Sequence, residues 1–135
     1  MKAINTEKAP AAIGPYSQAI QVGDLVYTSG QLPIDPATGA FAEGGIKEQT
    51  RQSLTNVQAI LQEAGLTMAH VVKTTVYMAD MGDFADMNSV YAEFFDRGQS
   101  GKADDFAAPY PARSAIAVKA LPKGALVEIE VVAAR

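Results

Sequence analysis

Two periodicities divide the chain. Residues 18–22 ("QAIQV") and 25–31 ("LVYTSGQ") read as short strands, and Gly23-Asp24 between them suits a tight hairpin turn. The following "LPIDPATGAF", rich in Pro, Asp and Gly, reads as a loop. From residue 46 the period changes. Ile46, Thr50, Leu54, Val57, Leu61 and Ala64, with Ile60 beside them, predict a helix over 46–64, closed by Gly65 in a left-handed cap. The β-branched run over 70–79 predicts a strand. A second helix is expected from an N-cap at Asp83, with Phe84, Met87, Tyr91 and Phe94 as its apolar stripe. Residues 97–111 read as a loop. Residues 113–121 and 125–133 read as two last strands, split by Pro122-Lys123-Gly124.

The order is β-β-α-β-α-β-β. Strands that alternate with helices favour parallel pairing and right-handed crossovers, which leave both helices on one side of the sheet. The other face is then open. It carries either Val72, Thr74, Val76 and Met78, or Val71, Thr75 and Tyr77. Neither set suits water, so a second copy of the chain is expected to cover it.

Composition narrows the chemistry. The 135 residues suit one domain with a genuine core. A net charge of -4 disfavours a surface built to hold nucleic acid. With no cysteine, thiolate catalysis and disulfides are excluded, and a histidine triad or a His-rich metal site would have to be built around His70, the only histidine. At the start of a strand, His70 reads as a surface or packing residue. "MKAINTEKAPAA" lacks a signal-peptide core, and no stretch is long and apolar enough to span a bilayer; a cytoplasmic location is expected.

Against that background the stretch "YPARSAIAV" stands out. Arg113 opens an apolar strand behind two prolines, and a half-buried guanidinium needs an anionic partner. Either the protein supplies that partner, or Arg113 is a planar fork for a bound carboxylate. In "ALVEIEVVA", alternation puts Val127, Ile129 and Val131 on one face and Leu126, Glu128, Glu130 and Val132 on the other. Glu128 is an ordinary solvent-side glutamate, or, at a subunit seam, a residue that holds or activates water. If the last two strands formed a hairpin, Arg113 and Glu128 would lie about 16 Å apart at ~3.3 Å per residue. A joint site therefore requires a different strand order or two chains. Tyr16 follows Gly14-Pro15, Ser29-Gly30 close a strand where a ligand can approach the backbone, and Asn88 sits beside the second helix's apolar stripe.

Six segments, "APAAIGPYSQA", "VYTSGQLPIDPATG", "QTRQSLTNVQAIL", "VVKTTVYMADMGDFADMNSVYAEFF", "PARSAIAV" and "LPKGALVEIEVVA", together resemble the reactive-intermediate deaminase (Rid, YjgF-like) family, in its arginine-bearing branch. The similarity covers residues 5 to 134. It implies an α+β, chorismate-mutase-like mixed sheet with both helices on one face, the last strand inserted within the sheet, and a homotrimer with clefts between subunits.

The resemblance also implies roles. Arg113 matches the family's carboxylate-binding arginine and Glu128 its water-positioning glutamate. Tyr16, Ser29, Gly30 and Asn88 match the residues given by the neighbouring chain. Close relatives often have cysteine two positions after the arginine, where this chain has Ala115, and the segment "SGKADDF" makes a longer loop than usual. The expected reaction is hydrolysis of 2-imino acids, and their enamine tautomers, to 2-oxo acids and ammonia. It calls for no cofactor and no metal, since a protonated imine carbon is already electrophilic. The competing readings are a non-catalytic trimer that binds 2-oxo acids, an RNA-binding or RNA-cleaving protein, and a holdase chaperone.

Overall fold

The computed structural model describes residues 1–95 and 110–135. Most of the loop expected over 97–111, with "SGKADDF", lies outside the described residues. Six strands form one sheet: β1 (Lys2–Ile4), β2 (Ala19–Val22), β3 (Leu25–Thr28), β4 (Val71–Met78), β5 (Ala112–Ala117) and β6 (Val127–Ala134). Two helices, α1 (Ile46–Glu63) and α2 (Phe84–Phe95), complete the fold. β1 was not legible in the apolar pattern; it adds to the edge through pairing with β2.

The spatial order is β1-β2-β3-β6-β4-β5. β2 and β3 form the expected hairpin. Val22 pairs with Leu25, and Gly23 takes the positive φ of 57° that this two-residue turn needs. β5 runs parallel to β4, whereas β6 is antiparallel to both β3 and β4. The last two strands are thus not hairpin partners, and the general expectation of parallel pairing holds for one pair only. The chain crosses over β4 through the turn at Pro122–Gly124, where Lys123 adopts a left-handed conformation.

Alternation along β6 places Val127, Ile129, Val131 and Ala133 in the core. Leu54, Val57, Ile60 and Leu61 of α1 are fully buried with them, and Met87, Tyr91 and Phe95 of α2 are also in the core. Two polar side chains tie α1 to nearby loops: Gln49 Oε1 accepts from Leu126 N–H, and Asn56 Nδ2 donates to the carbonyls of Leu32 and Ile34. Gly65 ends α1 with φ at 76°, as the sequence predicts. α2 begins at Phe84, directly after Asp83 as expected; a 3-10 turn (Met81–Asp83), capped by Asp80 accepting from Gly82 N–H, leads into it.

Neither predicted set for the open face is right as a whole. A bulge between Val71 and Lys73 turns Val71 into the core and leaves Val72 exposed. Beyond it, Thr74, Val76 and Met78 are buried, and Lys73, Thr75 and Tyr77 face away from the helices. This face also carries Tyr27 and Ile116, each nearly half exposed, and two polar contacts: Tyr77 Oη donates to Glu130, and Lys73 Nζ to Ser114 Oγ. Among the described residues, no helix is long and apolar enough to cross a membrane.

Candidate active site

Arg113 lies on β5, an edge strand, and points to the helix side of the sheet beside Thr74 of β4. Its Nη1 donates to Asn88 Oδ1 at 2.7 Å. The guanidinium carbon sits 4.7 Å from the Tyr91 ring centroid and 5.4 Å from that of Phe84. Phe84, Asn88 and Tyr91 occupy positions i, i+4 and i+7 of α2, one face of a helix, which is why three side chains reach one cation. No carboxylate among the described residues pairs with it; the ion pair found there joins Arg51 to Glu93 on the surface. In front of the guanidinium is a cavity of about 490 Å³, lined by Asn88, Tyr91, Ala92, Tyr110, Pro111 and Arg113. Ala115, two residues along β5, lies on the same side against the core.

Glu128 occupies the opposite face. On β6 it pairs across the ladder with Tyr77, and its side chain lies against Gly30. A Cβ at residue 30 would overlap Glu128 Oε1, so this placement of the carboxylate is compatible only with glycine there. The approach is set by a backbone bridge in which Gln31 and Ile129 exchange N–H···O bonds of 2.8 and 3.2 Å. The Glu128 carboxylate accepts no hydrogen bond among the described residues. Partial burial, and then the nearby charge of Glu130, raise its pKa above the ordinary glutamate value.

Tyr16, Ser29 and Gly30 belong with Glu128. Ser29 Oγ donates to the Ser17 carbonyl at 2.6 Å and its N–H to Gln18 O, so Ser29 fastens the Tyr16 loop to the end of β3. Ser29 therefore spends its hydroxyl proton within the chain and keeps only acceptor capacity. Gln18, almost fully buried, holds the strap before it through bonds to Thr6 and Pro10. The Tyr16 ring is half exposed and its hydroxyl accepts from Ile13 N–H.

The candidate residues thus fall into two groups: Asn88, Arg113 and Ala115 on the helix side, and Tyr16, Ser29, Gly30 and Glu128 on the other. The expected division grouped Arg113 with Glu128 and assigned Asn88 to the neighbour; within this chain Asn88 bonds to Arg113, and Glu128 lies on the other face. Inserting β6 within the sheet shortens their separation but does not join them. Arg113 aligns through Thr74 with Val131, two strands over and three residues from Glu128. That is roughly 14 Å at ~4.8 Å per strand and ~3.3 Å per residue, and on opposite faces. Phe84 and Tyr91 were read as core; the signal that they share a face with Asn88 was their spacing.

Residues 6–135 match the family described as endoribonuclease L-PSP. The chain belongs to this family, which is the YjgF/Rid family of the sequence resemblance. A RutC family protein of Sinorhizobium fredii is 56% identical over 96% of this chain and 94% of its own length. The 2-iminobutanoate/2-iminopropanoate deaminase of Salmonella typhimurium is 49% identical over 99% of this chain and 98% of that protein. Among solved structures, E. coli TdcF with bound serine superposes with a TM-score of 0.88 at 44% identity, covering 100% of this chain and 99% of that one. The mixed α+β sheet expected of a Rid protein is the fold observed.

Proposed function

We propose that this Rid protein is a 2-iminobutanoate/2-iminopropanoate deaminase, working at clefts formed where one chain's Arg113 half-site meets a neighbour's Glu128 half-site in a homotrimer. The observation that carries the reading is the Arg113 guanidinium, aromatic-seated, without an acidic partner among the described residues and facing a cavity. The fork binds the substrate carboxylate, with Asn88 fixing its orientation. The opposing Glu128 holds a water and takes its proton as the oxygen attacks the iminium carbon. The same proton then passes to the nitrogen; as the C–N bond breaks, Glu128 takes the hydroxyl proton, the C=O bond forms, and the departing ammonia carries that proton away, so 2-oxo acid and ammonium leave. Gly30 N–H, which has no partner among the described residues, is free to donate to substrate or water. Relatives named as deaminases at 48–49% identity support this substrate class.

The test supplies fresh 2-iminobutanoate or 2-iminopropanoate and follows oxo-acid formation. Arg113→Ala is expected to lower kcat/KM roughly 100- to 1000-fold, the scale for removing one partner of a buried charge pair. Equal rates for wild type and variant remove Arg113 from the reaction. Saturable binding of 2-oxobutanoate with no accelerated imine loss would point instead to a regulatory binding protein.

The family description favours a second reading, RNA cleavage. The net charge of -4 and the single histidine weigh against it. Salt-dependent retention of RNA, with cleavage, is the result that would restore it.

A further inference from the structure

The Arg113 seat contains a closed triangle. Thr74 and Arg113 are direct neighbours in the β4–β5 ladder. The guanidinium stacks over Tyr91 at 4.7 Å. Tyr91 Oη returns to the sheet, sharing a 2.7 Å hydrogen bond with Thr74 Oγ1. Thr74 is fully buried and Tyr91 nearly so, and Phe95 packs against the Tyr91 ring with centroids 4.5 Å apart. A buried hydroxyl pair of this kind is a directional contact, unlike an apolar stripe that tolerates sliding. It ties the ring to the same ladder that carries the arginine backbone.

We propose that Tyr91 is the positioning residue for the Arg113 guanidinium, with its hydroxyl locked by Thr74 so that the ring face sets the height and tilt of the carboxylate fork. The proposal rests on the carboxylate-binding reading of Arg113. Three contacts surround the cation: Asn88 Oδ1 accepting from Nη1, and the rings of Tyr91 and, somewhat farther, Phe84. A long flexible side chain held this way loses little further freedom when an anion docks, and among the described residues only Asn88 accepts from it. Tyr91 touches the cation and not the reacting carbon, so its effect falls on substrate binding more than on turnover.

The experiment uses the intact protein with Tyr91→Leu, Tyr91→Phe, Thr74→Val and the double variant Tyr91→Phe/Thr74→Val. It reads the Kd for 2-oxobutanoate by calorimetry, and kcat and KM for 2-iminobutanoate generated in situ. Tyr91→Leu is expected to raise both Kd and KM roughly 5- to 30-fold through loss of the ring face, with kcat held within about twofold. Tyr91→Phe and Thr74→Val each raise them about two- to fourfold. The double variant is no worse than either single one, because both remove the same bond.

A purely structural Tyr91 would lower melting temperature and active fraction while leaving Kd and KM in place; that result, or additive losses in the double variant, overturns the proposal. Should Tyr91→Leu not fold, the Phe and Val pair decides. If wild type binds 2-oxobutanoate without turnover, the deaminase reading fails while the Kd series still judges Tyr91. If wild type binds no 2-oxobutanoate, both fall.

Discussion

The two faces of the sheet treat their functional charges in opposite ways. On the helix side, Arg113 is held by Asn88, Tyr91 and Phe84, contacts that fix a cation without neutralising it. On the other side, Glu128 is pressed against the backbone of Gly30, accepts no hydrogen bond among the described residues, and has Glu130 as a neighbour. The first arrangement pre-orients a permanent charge. The second makes the ionised form of a carboxylate less favourable, which suits a group that must take up and release a proton. On the proposed reading a single chain holds a binding half and a proton-handling half on opposite faces and needs a second copy; the exposed Tyr27 and Ile116 lie on the face that such a copy would cover.

Gly30→Ala attacks the Glu128 half directly, without removing either charged side chain. Gly30 does not have a positive φ, so alanine is conformationally acceptable. The added Cβ meets the flexible end of Glu128, not backbone. The carboxylate must therefore swing away while the fold persists. Displacing it by about 1 Å is expected to lower kcat on the order of 100-fold. Thermal unfolding should remain close to wild type, and the Kd for 2-oxobutanoate should change far less than kcat. A fully active Gly30→Ala protein would show that the Glu128 position is immaterial.

A mixing experiment asks whether the halves come from different chains. Arg113→Ala and Glu128→Ala are each expected to be inactive. Co-assembled at equal amounts, they should recover about a quarter of wild-type activity, because in a ring of equivalent seams a quarter of the clefts pair an intact arginine half with an intact glutamate half. Zero recovery in verified mixed oligomers would mean that one chain supplies both groups.

The alternation in "ALVEIEVV" was enough to place Glu128 away from the core, and the helical spacing of Leu54, Val57 and Leu61 was enough to place α1. Arg113 and Glu128 were legible as candidates because charge in an apolar strand demands a reason. Their separation was not legible, since β6 pairs with β3 between residues about a hundred positions apart and with β4 between residues about 50 to 60 apart. The burial of Val71 depended on a bulge, which shifts the period by one residue and leaves no mark in composition. The role of Tyr91 was masked because one aromatic side chain can serve a core and a cation at once, and its hydroxyl partner Thr74 lies on a different element.

The smallest expected effect is a displaced pH limb, and it separates the two charges most cleanly. Glu128 has its pKa raised in the folded chain, by partial burial first and by Glu130 second. In the folded state it therefore holds its proton at pH values where the unfolded chain has released it. The favourable contribution to folding is complete below the unfolded pKa and is lost as pH rises through the folded one. Above that window the carboxylate is ionised and disfavours folding, so Glu128→Gln should be slightly more stable than wild type near neutrality and lose that advantage on acidification. Activity runs the other way. If the ionised carboxylate is the base, kcat/KM falls on the acid side at a pH above the ordinary glutamate range, and Glu130→Gln moves that limb downward by removing one cause of the shift. Arg113→Lys keeps a positive charge at the other half-site and should lower kcat/KM without moving the limb. A limb that follows the arginine substitution and ignores Glu130 would assign proton handling to the helix side, and the contrast between the two faces would be reversed.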